Sequence, residues 1–258
     1  FINWIYIYIF KFKYFYNINM LNKLSIENNS FHYVSIILAL AIYFSAFKNG
    51  KPTCDRFLIN SFIYLLFLFT VYFSSLKIQT ENDLYIGGGF VIGLISVCVM
   101  IGLFYLIHVV KNQPMKHLLL CFVIFILALT ARKFYEKYDR EYIEEIIKKC
   151  MIITVICGMM GIMFGKYLKP ELEIILLFTF GVSIIFMIID ALFLESKYKD
   201  MLNYLFIFIF AGFIMFDTNR TILLSRLCKE GNANYIDNMT NMFLNIINLF
   251  NTLADLGD

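Results

Sequence analysis

Residues 201–253 read MLNYLFIFIFAGFIMFDTNRTILLSRLCKEGNANYIDNMTNMFLNIINLFNTL, and this stretch decides the fold. It opens on an apolar run, Met201–Phe216, that stops at Asp217. After a polar segment comes a second apolar run, Tyr235–Leu253, which carries a row of polar side chains. Asp237, Asn241, Asn245 and Asn248 are spaced i, i+4, i+8 and i+11, so they share one face of a helix. Polar groups are costly in a bilayer and turn toward a cavity or a partner helix. Two apolar helices with polar groups embedded in them therefore point to a membrane protein whose functional interior lies at its C-terminal end.

The rest of the chain agrees. It is 60% hydrophobic and 16% charged, with 29 Phe, 17 Tyr and only 3 Pro, and its mean hydropathy is +0.74. A soluble domain needs polar faces on its elements, and most of these runs have none. Crossing the hydrocarbon core takes about 20 mostly apolar residues. Phe31–Phe47, Phe57–Ser75, Leu84–Val110, His117–Ala131, Cys150–Leu168, Ile174–Leu194, Met201–Phe216 and Tyr235–Leu253 are the candidates. The expected fold is all-α: a polytopic seven-helix bundle over residues 57–258, with residues 31–56 as an extra membrane segment and loop, and residues 1–30 as a tail. Residues 1–19 are a low-complexity mix of Phe, Ile, Tyr, Asn and Lys. Met20 is the expected start of translation.

Pro114 and Pro170 mark helix starts, as their fixed φ favours. Arg132–Lys149 is dense in both charge signs and reads as a helical extension at the interface. On one side, the loops hold Lys48, Lys51, Arg56, Lys111, Lys116, Lys166, Lys169, Arg220, Arg226 and Lys229. The other side holds Lys77, Lys197 and Lys199, with the mixed-charge segment set aside. The positive-inside rule then places Lys48–Arg56 in the cytosol. The net charge of +3 is spread over the loops, and no basic block suggests nucleic acid. The 6 cysteines have no metal-like spacing; four lie inside apolar runs, where Cys packs as a small hydrophobe, and reduced thiols with no disulfide frame are expected.

Asp217 is the leading functional candidate. Desolvation disfavours its ionised form, and Arg220, three residues on, favours it. Such a carboxylate serves as a proton-sensitive latch or as an ion ligand. Asp237 lies near a helix start, where a carboxylate also suits the helix dipole. Asp190 reads mainly as a helix-end carboxylate, and His108 and His117 as interfacial residues. No His-Glu-x-x-His, Gly-x-Ser-x-Gly or phosphate loop is present, so neither an enzyme nor a bound cofactor is expected.

The segment Gly212-Phe213-Ile214-Met215-Phe216-Asp217-Thr218 resembles the penultimate-helix motif of the Bax inhibitor family, also called the transmembrane Bax inhibitor motif family. Asn241-Met242-Phe243-Leu244-Asn245-Ile246-Ile247-Asn248-Leu249-Phe250 resembles that family's final helix. Asn112-Gln113-Pro114-Met115-Lys116-His117 resembles its turn into the third helix. The resemblance covers roughly residues 57–253. It implies a seven-helix protein of the endoplasmic reticulum or Golgi (or of a bacterial inner membrane) with a central final helix. It further implies calcium leak, suppression of cell death, and an aspartate pair that shares a proton.

Asp217 matches the first aspartate of that pair. The second falls on Asn245, a departure that removes the like-charge repulsion behind a coupled titration. The resemblance thus implies a leak with weakened pH gating, in which Asp217 is the calcium ligand and Asn241, Asn245, Asn248 and Asp237 line the pathway. Lys116, Lys111 or Arg220 is the expected cationic latch. The expected partners are the lipid bilayer, calcium ions and other membrane proteins of cell-death pathways. The competing class is a non-conducting interaction protein that works by binding those membrane proteins.

Overall fold

In the computed structural model, the residues described are 30–48, 51–81, 99–100, 102–107, 109–110, 112–138, 140–229 and 233–256. The elements run α1 (Ser30–Ala46), β1 (Phe47–Lys48), β2 (Lys51–Pro52), α2 (Phe57–Glu81), α3 (Gln113–Lys137) and α4 (Arg140–Met163). A 3-10 turn (Gly165–Tyr167), α5 (Pro170–Phe193), α6 (Lys199–Leu227) and α7 (Tyr235–Asp255) follow. β1 and β2 form a single antiparallel pair, Phe47 opposite Pro52. The architecture is otherwise helical, as the long apolar runs require. Residues 102–107 are also helical; most of the Leu84–Val110 run, the tail to residue 29, Lys111 and His108 lie outside the described residues.

Among the described residues, α4, α5, α6 and the first part of α2 are long and apolar enough to cross a membrane. They expose large apolar side chains on their outer surfaces: Met163 is 72% exposed, Phe178 72% and Phe208 74%. Water would not tolerate that much apolar surface, whereas lipid solvates it. The chain is an integral membrane protein.

Two compact units divide the chain. Of the described residues, one takes those between 30 and 138 with 228–229 and 233–240, the other 140–227 with 241–256. In the first, α2 packs against α1 and α3, burying Tyr64, Leu68, Tyr72, Leu120 and Val123. The start of α3 follows the expectation: Pro114 lies in its first turn, and the Asn112 side chain accepts from Met115 N at 3.3 Å. In the second unit α6 packs against α4 and α5. Gly161 lets the α4 and α6 backbones approach closely, since a Cβ there would meet Met215 O at 2.5 Å. Phe180 of α5 meets Phe206, Phe210 and Phe213 of α6 edge-on.

The Arg132–Lys149 segment is largely helix, as expected, with α3 continuing to Lys137 and α4 starting at Arg140. Its Glu, Lys and Arg are good helix formers, and Glu145 pairs with Lys149 one turn on, at 2.6 Å. The helix that carries Asp217 does not end there but runs on to Leu227. Thr218 and Thr221 turn their hydroxyls back to the carbonyls of Ile214 and Asp217, at 2.8 and 2.7 Å. That satisfies them inside the helix.

The cysteines are not all reduced: Cys54 and Cys228 form a disulfide. They lie in loops that the expected order of helices assigns to the same face. Yet disulfides persist in oxidising compartments, so this bond opposes the cytosolic orientation drawn from the loop charges.

Candidate functional site

The second unit holds the Asp217 site. Asp217 lies within α6, only 8% exposed, and Asn245 of α7 is 4% exposed. Asn245 Nδ2 donates to Asp217 Oδ2 at 2.7 Å. When Asp217 is ionised, such a bond to its buried carboxylate is of the strong, charge-assisted kind. The local sequence explains its position. Gly158 and Gly161 keep α4 slim where it passes α6, with Met215 and Thr218 as the facing residues. The hydroxyls of Thr218 and Thr221 are already bonded to their own helix. Arg220 and Glu173 both act on Asp217 electrostatically, with opposite signs. Arg220 itself is exposed and, among the described residues of this unit, is the expected cationic residue that acts on Asp217; Lys111 lies outside the described residues. Lys116 sits in the first turn of α3, in the other unit.

The polar row on α7 divides. Asn245 and Asn248 are buried, while Asn241 is exposed. Thr252, one turn beyond Asn248, continues the row and donates to Asn248 O at 2.8 Å. Asn248 is fully buried, and neither atom of its amide has a hydrogen-bond partner; Asn251, 5% exposed, is the same. Leaving one such group unpaired costs about 1–3 kcal/mol, so buried orphans of this kind mark water or ion positions.

Asp237, expected in the row and also as a helix-start carboxylate, takes part in the cap of α7. Asp237 N donates to Asn234 Oδ1 at 3.2 Å, and Asn234 Nδ2 donates back to Asp237 Oδ2 at 2.6 Å. The first bond is an N-cap, with the Asn234 side chain accepting from a backbone N–H of the first turn, and the second ties the two side chains together. Asp190 also has a structural role: it is buried, and its Oδ1 accepts from Tyr198 N at 3.1 Å, closing the turn after α5.

Sequence reasoning missed three polar positions. Asn203 of α6 is fully buried with both amide atoms unpartnered. A lone amide inside the Met201–Phe216 run was the available signal. Asn251 lies just off the polar face. In the first unit, His117 is no plain interfacial residue: its Nδ1 lies 2.8 Å from the hydroxyl of the fully buried Tyr64. Among the described residues no three His, Cys, Asp or Glu side chains gather as a metal cluster. A cation at Asp217 would therefore be held by one carboxylate together with amide and backbone oxygens, the donor type hard cations take.

A family model described as "Inhibitor of apoptosis-promoting Bax1" matches residues 54–256. No curated protein and no solved structure matches the chain.

Proposed function

The chain belongs to the Bax inhibitor family, and on that footing we propose that it is a calcium leak protein of an intracellular membrane, the endoplasmic reticulum or Golgi, with an anti-apoptotic role and weakened pH gating. The observation that carries this reading is the bond from Asn245 Nδ2 to Asp217 Oδ2. A carboxylate paired with an amide is held by one neutral donor and has no second acid to repel it. Protons then have less leverage over the pair than over two facing carboxylates. The buried oxygen of Asn245 beside Asp217, with that of Asn248 one turn further along α7, suits a hard cation moving in steps.

The test is calcium efflux from liposomes holding the purified protein. The wild type should leak above empty vesicles, and Asp217→Asn should reduce the leak several-fold. Equal leak from both proteins would remove Asp217 from the pathway. A second reading, membrane interaction without conduction, draws support from the same bond, which leaves Asp217 already satisfied. No calcium movement at any pH, with cell-death suppression retained, selects that reading.

A further inference from the structure

We propose that the Cys54–Cys228 disulfide is a thiol-exchange site for an anionic thiol of the glutathione class, and that it sets how tightly the start of the final helix is tethered. This inference is independent of the calcium reading, because its readouts do not involve flux.

The bond joins the connection before α2 to the connection before α7. Both cysteines are partly exposed, so a small thiol can reach them. Of the free cysteines of the described residues, Cys150 and Cys157 are buried, and Cys121, partly exposed like Cys54 and Cys228, lies within a helix rather than a connection.

The two sulfurs are not equivalent. Cys228 is flanked by Arg226 and Lys229, both exposed. Glutathione carries two carboxylates and one ammonium, so these cations draw its thiolate to Cys228 Sγ. Cys54 sits just ahead of the first turn of α2, and its carbonyl accepts Phe57 N at 3.2 Å. The positive end of a helix stabilises a thiolate there. The favoured step is therefore attack of the incoming thiolate on Cys228 Sγ. A mixed disulfide forms at Cys228 as the Cys54–Cys228 bond breaks, and the electron pair leaves on Cys54. A second thiolate attacks the glutathione sulfur of that mixed disulfide and frees Cys228. The protein disulfide gains two electrons, and two glutathiones become one glutathione disulfide.

The bond is one of several ties at this place. The Tyr235 hydroxyl donates to Thr53 O, and its ring stacks on Phe57 with centroids 5.0 Å apart. Asn60 Nδ2 donates to Ser45 O and Asp55 O at 3.1 and 2.9 Å. Reduction thus loosens the approach to α7 while these contacts still hold Tyr235. The outcome is a graded release of the first turn.

The full chain in detergent micelles is treated with reduced glutathione, and free thiols are trapped with a 5-kDa maleimide before any denaturation. Peptide mass spectrometry locates the mixed disulfide, and hydrogen exchange follows residues 233–240. The expected result is native-state reduction, glutathione found on Cys228 in preference to Cys54, and at least a tenfold rise in exchange over 233–240. Arg226→Gln with Lys229→Gln should slow reduction by glutathione several-fold while leaving the neutral thiol 2-mercaptoethanol unaffected. The Cys54→Ser, Cys228→Ser protein should exchange like the reduced wild type; if it does not fold, the reduced wild type alone decides. A bond that resists thiol until the protein is denatured would overturn the proposal, as would modification favouring Cys54 or unchanged exchange after reduction.

Discussion

Replacing Asn245 with Ala removes the one donor seen on the Asp217 side chain, Nδ2 at 2.7 Å. The size of the effect follows from burial and charge. Both residues are less than a tenth exposed. A hydrogen bond to an ionised partner contributes about 1.5–3 kcal/mol, whereas neutral side-chain bonds between membrane helices average about 0.6 kcal/mol. A double-mutant cycle with Asp217→Ala, Asn245→Ala and the double variant isolates the pair from the packing lost at each site. At a pH where Asp217 is ionised, the coupling should be about 1.5–2 kcal/mol, read from unfolding of the purified protein in mixed micelles. Repeating the cycle at a pH where the carboxyl is protonated should lower it toward about 0.6 kcal/mol. Coupling below about 0.3 kcal/mol with the carboxylate ionised lies within the scatter of independent sites. It would show that the bond contributes nothing and that Asp217 is held by something else.

The other predictions concern the frame around the site. Gly161→Ala places a Cβ 2.5 Å from Met215 O, a backbone atom that cannot swing away. It should cost about 1–3 kcal/mol and lower the thermal midpoint, whereas Gly181→Ala, with nothing within 4 Å, should leave it level or slightly raised. Tyr235→Phe keeps the stack on Phe57 but loses the bond to Thr53 O and the acceptor for Asn60; a loss of about 1–2 kcal/mol is expected in the same unfolding assay. Reducing Cys54–Cys228 opens a loop with a sequence separation of 174. The chain-entropy ceiling for that loop is about 5 kcal/mol. Helices held in a bilayer restrict the unfolded chain, so unfolding with and without reductant should differ by less than this ceiling.

The membrane fold was legible because the bilayer enforces length: runs such as Ile174–Leu194 and Tyr235–Leu253 reappear as α5 and α7 nearly unshifted. Helix ends were less legible. Asp217-Thr218-Asn219-Arg220 looks like a stop, but threonines that bond back to the preceding turn let α6 continue. The capping of α7 was present in the spacing of Asn234 and Asp237, a side-chain acceptor three residues ahead of an acid. The helix-start reading of Asp237 anticipated that place, though not Asn234 as its partner. The Asp217–Asn245 pair came into view through the family resemblance and has the geometry to match. The disulfide had no local signal, since pairing across most of the chain depends on which connections share a face. The orphaned amides of Asn203, Asn248 and Asn251 could not be read from spacing, because burial without a partner is a property of packing.

The central claim is that an amide facing Asp217 weakens the proton control of a cation leak. Calcium efflux from liposomes, measured against pH for the wild type and Asn245→Asp side by side, tests it most directly. The wild type should change little as pH passes through neutrality, and Asn245→Asp, with two carboxylates in contact, should acquire a steep dependence. A wild-type leak that already varies steeply with pH, or an Asn245→Asp profile identical to it, would contradict the account.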